Sequence, residues 1–90
     1  MLHLDLKDHA ERFLNRLVPK HRGQVARKIA SLQMDPYPPD SKQLKKSMHR
    51  GADIGEYRII YRVAGDILHV PLIGKRNDDD VYRRLRRMER

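Results

Sequence analysis

Leu2, Leu4 and Leu6 alternate with His3 and Asp5 at the start of the chain. A period of two sends successive side chains to opposite faces of an extended segment, so residues 2–6 are predicted to form a strand. The period then lengthens. Ala10, Phe13, Leu14 and Leu17 recur at the spacing that lines up one face of a helix. Asp8, with Glu11 in the capping-box position after it, suits the start of that helix, and Pro19 stops it. A second helix is predicted over Pro19–Met34. Val25, Ile29 and Leu32 form its apolar stripe, with Ala26 and Ala30 beside it and Arg22, Gln24 and Lys28 off it. Two helices separated by one proline read as a helical hairpin.

Residues 35–46, DPYPPDSKQLKK, contain three prolines and read as a loop that crosses the body of the domain. Residues 48–54 are a weaker strand candidate, interrupted by Gly51. Gly55-Glu56 marks a turn. Tyr57–Ala64, rich in aromatic and β-branched residues, is the strongest strand. Gly65-Asp66 turns the chain back, and residues 67–73 form the answering strand. Pro71 inside that strand has no N–H for the ladder, so a free edge or a bulge is expected there. Asn77 suits the cap of a last helix, with Asp78, Asp79 and Asp80 in its first turn, where carboxylates complement the helix dipole. Val81, Leu85 and Met88 fall on one stripe; Arg83, Arg84, Arg86 and Arg87 face elsewhere. The order β-α-α-β-β-β-α predicts a single α+β domain over residues 1–90. Its core is a mostly antiparallel four-stranded sheet, packed against a helical hairpin and a C-terminal helix.

Composition narrows the setting. Ninety residues bury only a modest core. With no cysteine there is neither a disulfide nor a thiolate, which suits a reducing cytoplasm, the expected location. No N-terminal stretch resembles a signal peptide, and no stretch approaches the roughly 20 apolar residues that cross a bilayer. Lys and Arg number 20 against 12 Asp and Glu, for a net charge of +8. Such a balance favours a polyanionic partner: nucleic acid, an acidic protein, or an anionic surface.

Strand parity then separates the candidate chemistry from the core. Tyr57, Ile59, Tyr61 and Val63 share one face, the better core face; Arg58, Ile60 and Arg62 share the other. Arginines in mid-strand can simply lay their stems over a solvated sheet. Here they are accompanied by Lys75 and Arg76 after the last strand and by Tyr82 on the helix beyond. Guanidinium groups bind phosphate through paired hydrogen bonds, and a tyrosine stacks on a base or transfers a proton. RNA cleavage requires that the 2′-OH lose a proton, that the leaving 5′-oxygen gain one, and that charge on phosphorus be stabilised. Arginine serves only the last of these. The proton steps fall to Tyr82, His49 or a lysine. His69 reads as structural, and His3, His9 and His21 lack ligand spacing. A helix start explains NDDD at residues 77–80, so neither a metal nor a cofactor is expected. The RRLRRMER tail suits ribosomal RNA or an acidic protein.

GEYRIIY, the hairpin that follows and IGKRNDDDVY resemble the signature of the RelE/ParE toxin superfamily. The resemblance extends to the helical hairpin and its proline-rich exit, and so covers nearly the whole chain. It implies the toxin of a bacterial type II toxin–antitoxin pair. Toxins of the RelE branch enter the ribosomal A site and cleave mRNA without a metal; those of the ParE branch inhibit DNA gyrase and are not nucleases. Carried over by motif, the nuclease residues are Arg58, Arg76 and Tyr82. The chain departs from the nuclease branch in the preceding strand, where two lysines give way to His49 and Gly51, with Asp53 next on that face. His49 is the candidate replacement for proton transfer. Lys45, Lys46, Arg50, Arg62, Lys75 and Arg83 are further candidates for contact with nucleic acid. The first reading is therefore a ribosome-dependent mRNA endonuclease. The alternatives are a ParE-like gyrase inhibitor and a degenerate relative that only binds an antitoxin. The expected partners are a cognate antitoxin with the ribosome and mRNA, or with gyrase, and no membrane. The sequence sets neither oligomeric state nor codon preference.

Overall fold

A computed structural model describes residues 1–89. The elements in chain order are β1 (His3–Leu6), α1 (Asp8–Arg16), α2 (Pro19–Met34), β2 (Ser41–Gln43), β3 (Arg50–Ile54), β4 (Tyr57–Ala64), β5 (Ile67–Lys75) and α3 (Asp80–Met88). The strands make one five-stranded sheet in the order β1-β5-β4-β3-β2. β1 joins β5 in parallel and every other pairing is antiparallel. None of the described helices is long and apolar enough to cross a membrane.

β4 lies at the centre, and its alternation feeds two cores. Tyr57, Ile59 and Tyr61 are buried on one face with Ala10 of α1 and Val25, Ile29 and Leu32 of α2. Phe13, Leu14 and Leu17 pack at the margin of that core. Ile60 faces the other way and is buried with Leu72, Val81 and Leu85. The face that carries Arg58 and Arg62 is therefore partly roofed by α3, not open. The helical hairpin already fills the first face. The apolar stripe of α3 has Ile60 and Leu72 as its remaining dry surface.

β5 reaches both cores through a bulge. Ile60 pairs with Leu72 but Arg62 pairs with His69, so Val70 and Pro71 together stand opposite Tyr61. The extra residue reverses parity. Leu68 and Val70 face the hairpin, Leu72 faces α3, and Ile73 returns to the hairpin side. The disruption expected at Pro71 is this bulge.

Several expectations need correction. Residues 41–43 are not loop but an edge strand, paired through Ser41↔Ala52, Lys42↔Gly51 and Gln43↔Arg50. Three polar residues show no alternation, and ladder hydrogen bonds alone suffice at an edge. β3 starts at Arg50, leaving Met48 and His49 outside it, and Gly51 is an ordinary member of the strand. Lys7, not Asp8, is the N-cap residue of α1, and no side chain caps it; the backbone N–H of Glu11 bonds the Lys7 carbonyl instead. α3 begins at Asp80 and its cap residue is Asp79, not Asn77. The Asp78 carboxylate accepts from the Asp80 N–H at 2.9 Å. Met88 is 53 % exposed, so the buried stripe of α3 is Val81 and Leu85.

Gly74 sits where α3 crosses β5. A Cβ there would lie 3.1 Å from Val81 Cβ, an atom fixed to the helix backbone. Gly74→Ala is therefore expected to lift α3 and cost about 1–3 kcal/mol. Chemical denaturation, with amide exchange faster in α3 than in the hairpin, checks this.

Candidate nucleic-acid interface

Arg58 projects from β4 on the α3 side, directly across the ladder from Asp53 of β3. Its Nε and Nη2 donate to the two carboxylate oxygens of Asp53 at 2.5 and 2.8 Å. A planar fork on a carboxylate is the most strongly oriented ion pair two side chains can make. The Arg58 guanidinium carbon also lies 5.5 Å from the centre of the Tyr82 ring, in cation–π contact. Tyr82 reaches this place because its neighbours Val81 and Leu85 are buried against the sheet.

Asp53 is the electrostatic centre of the site. Hydrogen bonds from Arg58 hold its carboxyl below the ordinary value against the opposing effect of burial, and the charges of Arg58, Arg76 and Lys42 lower it further. Arg58 is correspondingly raised, first by its hydrogen bond to Asp53. Arg76 is exposed just past β5; its guanidinium donates to the Gly55 carbonyl at 3.4 Å and its backbone N–H to the Glu56 carbonyl at 2.9 Å. A cavity of about 190 Å³ opens beside Arg58, lined by Asp40, Lys42, Gly51 and Asp53 among others. Arg58, Arg76 and Tyr82 thus come together. Lys42 joins them from β2, and no sequence signal found it, because its strand is too short to show a period.

The other candidates divide. Lys45 and Lys46 border the groove beside Tyr82, along with Arg86. His49 does not share the Arg58 cavity. It is 6 % exposed, its Nδ1 lies 2.7 Å from Glu89, and the Ser47 hydroxyl donates to that same carboxylate at 2.7 Å. Burial pushes the Glu89 carboxyl up, but the hydrogen bonds from Ser47 and His49 outweigh it and leave the group below its ordinary range. His49 faces a separate groove of about 970 Å³ with Lys46, Arg62 and His69. His69 is held there by Asp5, Nδ1 to Oδ2 at 3.0 Å. Arg50 points to the opposite face. It lies 5.0 Å from the Tyr37 ring centre and donates to the Ser41 hydroxyl, packing the proline-rich segment. Lys75 stands opposite Tyr57 at the end of β5, and Arg83 is exposed on α3, 3.8 Å from Asp80. No group of three or more His, Asp or Glu among the described residues is placed to hold a metal ion.

Guanidinium, ammonium and phenol groups gathered on one face of a sheet can grip a phosphodiester and stack a base. No protein-family model and no curated protein matches the chain. Solved structures do. The isolated RelE toxin of E. coli superposes with a TM-score of 0.74 at 19 % identity, over 100 % of both chains. A chain of the intact E. coli RelBE toxin–antitoxin complex matches with a TM-score of 0.73 at 20 % identity, over 83 % of this chain and 96 % of its own. A chain of the archaeal RelE–RelB complex from Pyrococcus horikoshii matches with a TM-score of 0.74 at 19 % identity, over 83 % and 94 %. At this level of identity the likeness establishes a shared fold: the chain has the α+β fold of the RelE toxins.

The lowered Asp53 carboxyl makes part of the stability acid-labile. Its contribution is complete above the ordinary aspartate value of 3.8 and is lost as pH falls through the lower value of the folded state. Asp53→Asn is expected to flatten the melting-temperature profile below the ordinary aspartate value of 3.8 without abolishing it, since Asp5, Asp40, Asp80 and Glu89 are lowered too. Thermal melts on the acid side are the check; an unchanged acid limb would show that the pair adds nothing to folding.

Proposed function

We propose that this chain is the toxin of a bacterial type II toxin–antitoxin pair and that it cleaves mRNA at the ribosome without a metal ion. The observation that carries the reading is the stacking of Arg58 on Tyr82, with Arg76 close enough to act on Asp53 beside them, on the fold of the RelE toxins. In the reaction the 2′-oxygen bonds to phosphorus as the 2′-OH gives up its proton. The P–O5′ bond breaks and the leaving oxygen takes up a proton, leaving a 2′,3′-cyclic phosphate and a 5′-hydroxyl. Arg58 and Arg76 stabilise the charge that builds on the phosphoryl oxygens, the largest contribution such a site makes. Tyr82 offers a ring for a base and a phenol for proton transfer. His49, buried against Glu89 outside this cavity, is the less suitable acid or base. The excess of positive charge suits both an acidic or amphipathic antitoxin and the ribosome. Two of the neighbouring structures are themselves toxin–antitoxin complexes, which supports a cognate antitoxin as partner.

One observation favours a second reading. Arg58 is already occupied by Asp53, and Gly51 and Asp53 leave β3 without a cation on that face. A site neutralised in this way suits a toxin that binds its target without cutting, with DNA gyrase as that target.

Induced expression with primer extension on a reporter transcript separates the two. Cuts within translated codons are expected, and Arg76→Ala should reduce them about a hundredfold while leaving the fold intact. Full toxicity of that variant would overturn the site. Growth arrest with uncut transcripts would favour gyrase, and no growth effect at all would point to a relative that only binds an antitoxin.

A further inference from the structure

We infer that Lys42 is a phosphate-binding residue of this site, contributed by β2 in place of a cation that β3 does not supply; the inference rests on the nuclease reading above. Lys42 is the ladder partner of Gly51, which is in turn the partner of Ile60. Paired residues share a face of the sheet, so Lys42 stands on the α3 side, two pairs along the ladder from Asp53 and Arg58. Gly51 puts no side chain into the row between β2 and β4, and the cavity beside Arg58 opens there.

Charge pairing points to the same residue. The cavity holds two carboxylates, and each is already engaged. Asp53 is bound by Arg58, and Asp40 is bound by Lys28 at 2.6 Å. Lys42 is exposed and its ammonium forms no hydrogen bond or salt bridge to any described residue, yet its charge is felt at Asp53. It is therefore an uncommitted cation in a cavity whose acids already have other partners. The ligand chemistry that fits is a phosphodiester, bound by Lys42 and Arg76 and sharing Arg58 with Asp53. An ammonium on a flexible stem suits a phosphate that arrives and leaves, since it acts as a point charge without a fixed fork.

The test is primer extension, with thermal melts, on Lys42→Ala, Lys42→Arg and the double variant Lys42→Ala/Gly51→Lys. In the last, a Cβ at position 51 meets Leu44 Cδ2 at 3.4 Å and Arg58 Cδ at 3.6 Å, ordinary contact distances. Lys42→Ala should cut the same codons about 10–100-fold more slowly, the loss expected for a charge-assisted hydrogen bond, with an unchanged melting temperature. Lys42→Arg should keep most of the rate, and a lysine at position 51 should restore it to the alanine variant. Cutting at the wild-type rate by Lys42→Ala would overturn the inference and leave the nuclease reading standing. A loss that neither Lys42→Arg nor Gly51→Lys repairs would assign Lys42 to the fold and overturn it as well. Intact transcripts with the wild-type protein would overturn both.

Discussion

The α3 side of the sheet depends on the burial of Ile60. A helix of nine residues is too short to be stable alone in water and must be ordered by what it packs on. Ile60 and Leu72 provide that surface, and Val81 and Leu85 accept it. Burying each such side chain is worth roughly 1.5–3 kcal/mol. Gly74 allows the close approach, and Tyr82 is thereby set over Arg58. The candidate site depends on this second core, because Tyr82 is set beside Arg58 by the burial of Val81 and Leu85 on the sheet.

Both ends of α3 are tied to the sheet side by polar contacts of different kinds. At the start, Tyr82 covers the guanidinium of Arg58, and Asp80 pairs with Arg84 one turn on. At the end, Glu89 gathers His49 and Ser47 from the β2–β3 connection. His49 serves that anchor, while the proline-rich segment is fastened by Arg50 against Tyr37 and by the Tyr61 hydroxyl on the Pro36 carbonyl. Basic residues that look equivalent in the sequence therefore hold quite different duties, and the pairing partner decides which.

What could be read from the sequence follows the length of each repeating pattern. β4 alternates over eight residues, and its two faces were legible down to single side chains. α2 carries a full stripe between Pro19 and Met34, and its bounds were legible too. Arg58, Arg76 and Tyr82 were singled out by a resemblance in the sequence, and the fold sets Arg58 against Tyr82 with Arg76 close enough to act on Asp53. β2 was not legible, since three residues at an edge need no apolar pattern, and Lys42 was lost with it. Helix caps were misplaced by one and two residues because Asp8 and Asn77 are good caps in isolation. The roofing of the second face was missed because Arg58 and Arg62 outnumber the one isoleucine between them, yet that isoleucine and Leu72 match the stripe of α3.

The pairing of Arg58 with Asp53 gives the site its own counterion. In an empty basic cleft, each cation draws small ions from solution, and an incoming phosphate expels them, so affinity falls steeply with salt. Here the anion nearest Arg58 is covalently part of the sheet and cannot diffuse away. A phosphate that binds beside Arg58 trades places with a tethered carboxylate and releases fewer free ions than the number of neighbouring cations implies. Binding at such a site is an exchange between two anions, which favours ligands positioned by other contacts over free polyanions that meet the surface by charge alone.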